Sequence, residues 1–207
     1  MLLGDEFFFV AHDDTTGKSR LHATASGLGL AAALLAELLF INRIAIQSGS
    51  LAVIDNRPPD DWLAHMVLDQ LVSEPQHRSV RTWLAFLGQT ARESVAQRLL
   101  RSGRVRTNQV RRTFRTMTVY PPVDTSAAAW PESRLRHLLN TGKPMSLDDA
   151  ALVGLISATG LCDRILWDAH ADAHRYLAHV LDTLPTPLQE LNAHAEAAIG
   201  DATLSRR

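Results

Sequence analysis

Cysteine is nearly absent: Cys162 is the single one among 207 residues, so neither an internal disulfide nor a multi-cysteine metal site can form. No uninterrupted apolar run reaches the roughly 18 residues of a membrane span. The nearest stretch, Gly27 to Ile41, is shorter and carries Glu37. The opening Met1-Leu2-Leu3-Gly4-Asp5-Glu6 has an acidic pair where a secretory leader has basic residues. A cytoplasmic chain is therefore expected. Catalytic fingerprints are missing as well: there is no Gly-x-Ser-x-Gly, no HExxH and no glycine-rich dinucleotide loop. Thr16-Gly17-Lys18-Ser19 has the end of a phosphate loop, but His12 stands where that loop needs its first glycine. A non-enzymatic protein without cofactor follows as the expectation.

Lysine is scarce too, with Lys18 and Lys143 as its two members, so nearly all positive charge is arginine. The formal net charge of −1 conceals a division. Residues 78 to 115 hold ten arginines (78, 81, 92, 98, 101, 104, 106, 111, 112 and 115) against the single acid Glu93, while the rest of the chain is acidic. Such asymmetry belongs to a surface that meets a polyanion. Anionic lipids attract each basic residue near their surface by about 1 kcal/mol, and guanidinium is the preferred fork for phosphate. A helix followed by an arginine-rich hairpin would equally serve as a DNA-binding element, so nucleic acid is the alternative partner.

With 46% hydrophobic residues the chain can bury a real core. The pattern predicts a mainly α fold, in which a central apolar helix is surrounded by amphipathic helices with one or two short β-hairpins. Leu28 to Ile41 is apolar on nearly every side, as a buried central helix must be. A strand pair is expected over Ile44–Ile46 and Leu51–Ile54, then helices over Asp61–Val72, from Ser79, and over Thr90–Ser102 with Gly103 behind it. A hairpin around Asn108-Gln109 follows, ended by Pro121-Pro122. Pro131 is read as the start of a short helix to Leu139. Ser146 resembles a capping box, Cys162–Leu181 reads as one helix, and a last helix runs from Thr186 to Gly200. Residues 1–200 form one domain in this reading, and 201–207 a frayed tail.

Two constellations invite chemistry. His170 and His174 have one-turn spacing for a metal, but His179 lies off their face, and solvated histidines are the better reading. Glu37 in its apolar helix reads as a structural hydrogen-bond partner rather than a catalytic acid. Trp62, Trp83, Trp130 and Trp167 are dispersed; most are read as core, with one free to anchor at a lipid interface.

Several blocks, in order, resemble the Golgi phosphoprotein-3 family. They are Phe7-Phe8-Phe9-Val10-Ala11-His12-Asp13-Asp14 with Gly17-Lys18, Gly29 to Leu38 with Asn42-Arg43-Ile44, then Pro75, Val80, Trp83 and Leu87, then Leu99 to Gly103, and finally Phe114 with Tyr120-Pro121. The similarity spans roughly residues 3 to 185 and points to a bacterial member. It implies a helical core, a hairpin used in homo-oligomer contacts, and a peripheral protein that recognises phosphatidylinositol 4-phosphate. The family's headgroup residues fall here on His22, Ala31, Gln89 and Arg92, so one arginine of three is kept. The resemblance thus assigns headgroup binding to His22, Gln89 and Arg92. The composition assigns a basic membrane face to Arg98, Arg101, Arg104, Arg106, Arg111, Arg112 and Arg115. Weak preference for general negative charge is expected.

Overall fold

The computed structural model describes residues 1–112, 115–167 and 169–204, with Arg112 and Arg115 entering by backbone only. Helix α1 (Leu3–Ala11) leads into α2 (Ala23–Phe40), and two antiparallel strands follow, β1 (Ile44–Gln47) and β2 (Ser50–Val53). Next come α3 (Trp62–Ser73), α4 (Val80–Leu87) and α5 (Ala91–Arg101). A second antiparallel pair, β3 (Asn108–Arg112) and β4 (Arg115–Val119), precedes α6 (Thr125–Thr141) and α7 (Leu147–Ala158). The chain then forms the short α8 (Cys162–Ile165), α9 (Ala171–Thr183) and α10 (Thr186–Leu204). The mainly α reading with short hairpins holds.

Every residue of α2 from Ala25 to Leu38 is buried, because α1, α4, α5, α7 and α10 pack around it. This is the one described helix with the length and apolarity of a membrane span, and its own protein encloses it. Leu30, Leu34, Leu35 and Leu38 are fully buried, at about 1.5–3 kcal/mol each. Small residues set how closely the neighbours approach. A Cβ on Gly27 would stand 2.2 Å from the Gly88 carbonyl oxygen at the end of α4, and one on Gly29 would stand 2.6 Å from the Phe7 ring.

The β1–β2 turn takes Ser48 and Gly49 to φ of 52° and 71°, the left-handed pair that matches strand twist. The Gly49 N–H donates to Glu190 Oε2 on α10 at 2.7 Å, tying this hairpin to the last helix. Caps set the helix starts. Asp61 accepts from the Ala64 N–H, Ser79 from Thr82 and Ser146 from Asp149, each satisfying a donor that the first turn leaves open.

Four boundaries differ from the sequence reading. Helix α6 begins at Thr125 rather than at Pro131, because Asp124 accepts from the Ser126 and Ala127 N–H groups and caps it there. The single helix expected over 162–181 is two, since His170 has an extended backbone (ψ 161°) and becomes the N-cap of α9. Helix α10 continues through Gly200 to Leu204, with Asp201 paired to Arg81 on α4. Residues 201–204 are thus helical, and the rest of the expected tail lies outside the described residues. Asn108 and Gln109 sit within β3, paired with Val119 and Thr118, so the hairpin does not turn there.

Candidate functional site

The turn after α1 organises one edge of the molecule. Asp13 accepts from the Thr15 and Thr16 N–H groups and from the Thr16 hydroxyl, at 2.8–3.2 Å. Gly17 closes the turn at φ 66°, and any Cβ there would stand 2.4 Å from the Tyr120–Pro121 backbone. The turn therefore seats on the foot of the β3–β4 hairpin. The Tyr120 hydroxyl donates to Glu93 on α5 at 2.6 Å, and burial together with that bond pushes its pKa up to about 12.

His12 joins these parts. Its ring stacks on Phe8 with centroids 3.9 Å apart, and Nδ1–H donates to the Phe8 carbonyl at 2.7 Å. That leaves Nε2 as the acceptor for the Arg92 Nε–H at 3.3 Å. Burial, with Arg92 and Arg20 nearby, pulls the His12 pKa down to about 3. The imidazole is thus neutral at physiological pH, and Nη1 and Nη2 of Arg92 have no hydrogen-bond partner among the described residues.

Of the other two headgroup candidates, His22 is the N-cap of α2, with its Nδ1 accepting from the Thr24 N–H at 3.3 Å. It is exposed and lines a recess of about 260 Å³ shared with Ile199, Ala202 and Thr203 of α10. Gln89 is exposed just beyond the Gly27–Gly88 crossing. Ala31 is fully buried in α2.

The arginines after α5 divide. Arg98 is a correction: it is 5% exposed and cannot belong to a surface. Its Nε donates to Asp5 at 2.8 Å, Nη1 to Glu37 at 2.8 Å and to Asp61 at 3.1 Å, and Nη2 to Glu37 at 2.9 Å. Glu37 also accepts from the Gly4 N–H at 2.7 Å, so it is a structural partner. Burial pushes the carboxyl groups of Glu37 and Asp5 up against the pull of that guanidinium. Arg101, Arg104, Arg106 and Arg111 are exposed. Arg101 lies over the Trp62 ring at 4.1 Å, and Arg104 reaches the Met1 sulfur at 3.2 Å. None of these four forms a salt bridge among the described residues, whereas Arg43, Arg57, Arg134, Arg136, Arg164 and Arg175 each meet a carboxylate. The side chains of Arg112 and Arg115 lie outside the described residues.

A family model of Golgi phosphoprotein 3 (GPP34) matches residues 3–199. The chain belongs to the Golgi phosphoprotein 3 family. No curated protein matches it. For a Golgi phosphoprotein 3 family member, the residues that the sequence reading missed lie outside the motif blocks. Trp130 and Trp167 are 59% and 72% exposed, where most tryptophans were expected in the core. Glu132 gathers Arg20, Arg136 and Arg164 at 3.7, 3.1 and 3.1 Å; the i,i+4 pair with Arg136 is visible in the sequence, but Arg20 and Arg164 are distant and no spacing announces them. The histidine pair is no helical chelate, because His170 caps α9 from outside it.

Proposed function

We propose that this protein is a non-enzymatic peripheral membrane protein that docks on anionic lipid headgroups from the cytoplasmic side. The observation that carries the reading is the group Arg101, Arg104, Arg106 and Arg111, exposed and without salt bridges among the described residues at the α5–hairpin junction. Arg112 and Arg115 follow in the same strands. Membership of the Golgi phosphoprotein 3 family supports the same class of role, since the resemblance implies a peripheral lipid-binding protein. In this reading Arg92 is the headgroup contact retained from the family, with His22 and Gln89 at the other positions. A single fork cannot supply the several charge-assisted bonds that selectivity for phosphatidylinositol 4-phosphate needs. At the Arg92 position and the α5–hairpin junction, general negative charge is therefore the preferred ligand.

Vesicle flotation tests this. Changing Arg101, Arg104, Arg106 and Arg111 together to alanine removes about 1 kcal/mol per residue, roughly a thousandfold in partition. Vesicles containing phosphatidylserine should lose the variant, and salt should weaken the parent protein in the same way. Undiminished flotation of the variant refutes the reading. An electrophoretic shift with duplex DNA tighter than vesicle binding at matched salt would favour nucleic acid instead.

A further inference from the structure

We infer that the recess among Arg20, Arg136, Arg164 and Trp167 is a second site, one that takes a lipid-borne phosphate monoester. The recess measures about 730 Å³ and opens beside α6 and α8. Glu132 lines it with a carboxylate only 15% exposed that three guanidinium groups approach. Arg136 is fixed further: its Nε donates to the Ile165 carbonyl at 3.3 Å and its Nη2 to the Arg164 carbonyl at 3.3 Å. Arg20 donates through Nη1 to the Val10 carbonyl at 2.9 Å. These forks are held in place before any ligand arrives, so little side-chain freedom is lost on binding.

Open donors, rather than net charge, point to an anion. The recess is lined by three arginines with Glu132 and Asp163, and Asp14 pairs with Arg20 at 3.8 Å. Among the described residues, Nη1 and Nη2 of Arg164 and Nη1 of Arg136 have no partner. Burial, with Arg164 second, pulls the Arg20 pKa below its ordinary value against the opposing pull of Glu132, Asp14 and Asp13. A dianionic phosphate monoester would accept from the open nitrogens; a phosphodiester, with one charge and fewer terminal oxygens, would do so less well.

Trp167 decides the source. It lines the same recess and is 72% exposed, an unusual state for the largest amphipathic ring and one suited to the headgroup level of a bilayer. A soluble phosphate would gain nothing from it.

The inference rests on the membrane-docking reading and is tested so that the two can fail separately. Vesicles of phosphatidylcholine carry either phosphatidic acid, a phosphomonoester, or phosphatidylglycerol, a phosphodiester, at matched surface charge. The protein should prefer phosphatidic acid. Arg164→Gln, at an exposed side chain, should reduce that preference roughly tenfold while leaving the phosphatidylglycerol affinity in place. Arg164→Lys, which keeps the charge but loses the fork, should also lose the preference. Trp167→Ala should weaken binding to both vesicles. Thermal melts of each variant should match the parent, which separates lost recognition from lost folding. Equal affinity of the parent for the two lipids, or a preference untouched by Arg164→Gln, overturns the site even if the alanine variant at Arg101, Arg104, Arg106 and Arg111 fails to float. Inorganic phosphate that abolishes the preference at concentrations equal to the lipid phosphate overturns the lipid source.

Discussion

Arg98 and His12 show how burial assigns opposite duties to basic side chains, one kept charged and the other neutral. Arg98 falls three residues after Val95 on the stripe Ala91, Val95 and Leu99 that α5 turns inward. The spacing was available in the sequence, but the surrounding run of arginines hid it. One guanidinium there serves Asp5, Glu37 and Asp61, so Arg98→Leu strands buried carboxylates. A loss of about 3–5 kcal/mol is expected from urea denaturation; a loss below about 1 kcal/mol would mean that the cluster is already hydrated.

His12 supplies the pH dependence. Its folded pKa of about 3 lies below the unfolded 6.5, so its contribution is complete above 6.5 and declines as acid protonates the unfolded chain first. Between about pH 7 and about pH 5 the parent should lose about 2 kcal/mol more than His12→Phe, which keeps the stack on Phe8 but cannot titrate. Identical pH slopes in parent and variant would show that His12 is not held neutral. The sequence places His12 in a block that resembles the family but does not announce its role, because its partner Arg92 lies eighty residues away.

Helices were legible where one residue type dominated and illegible where a cap or a distant contact decided. An α2 without a polar side announced the core directly, and the stripe Val80, Trp83, Leu84 and Leu87 gave α4 its buried face. Pro131 misled: it suits a helix start, but Asp124 caps α6 at Thr125 and Pro131 sits inside the helix, where it has no N–H for the preceding turn. The break before α9 had no glycine or proline to mark it. Close crossing of α2 and α4 provides the sharpest test of packing. Gly27→Ala would place its Cβ 2.2 Å from the Gly88 carbonyl oxygen, and backbone cannot swing aside as a side chain can. A destabilisation of about 1–3 kcal/mol is expected, read as a lowered urea midpoint. Gly103→Ala instead meets open space and is strained only by its φ of 68°, so it serves as the comparison. Equal or smaller loss at Gly27 would show that the two helices separate easily.

Charge asymmetry was visible in composition alone, but which arginines face outward depended on pairing across the fold. The acidic remainder neutralised Arg81 and Arg98 and left the α5–hairpin junction positive. The β3–β4 hairpin is exposed at Asn108, Gln109, Arg111, Thr116, Met117 and Thr118, and among its described residues only the foot at Val119 and Tyr120 is buried. Two strands with both faces in water are marginal by themselves. Such a hairpin gains from a surface to lie against, either lipid or a second copy, and the family resemblance implies the latter in oligomers. Replacing residues 109–118 by Asn-Gly joins Asn108 to Val119 through a two-residue turn that their pairing already favours. Because the core does not rest on the removed strands, the melting temperature should move by no more than about 4 °C, equivalent to about 1 kcal/mol. Sedimentation should show loss of any assembly larger than one chain, and vesicle binding should fall with Arg111, Arg112 and Arg115 gone. A large drop in melting temperature would make the hairpin part of the core. An unchanged sedimenting mass in a protein that assembles would place the oligomer contact elsewhere.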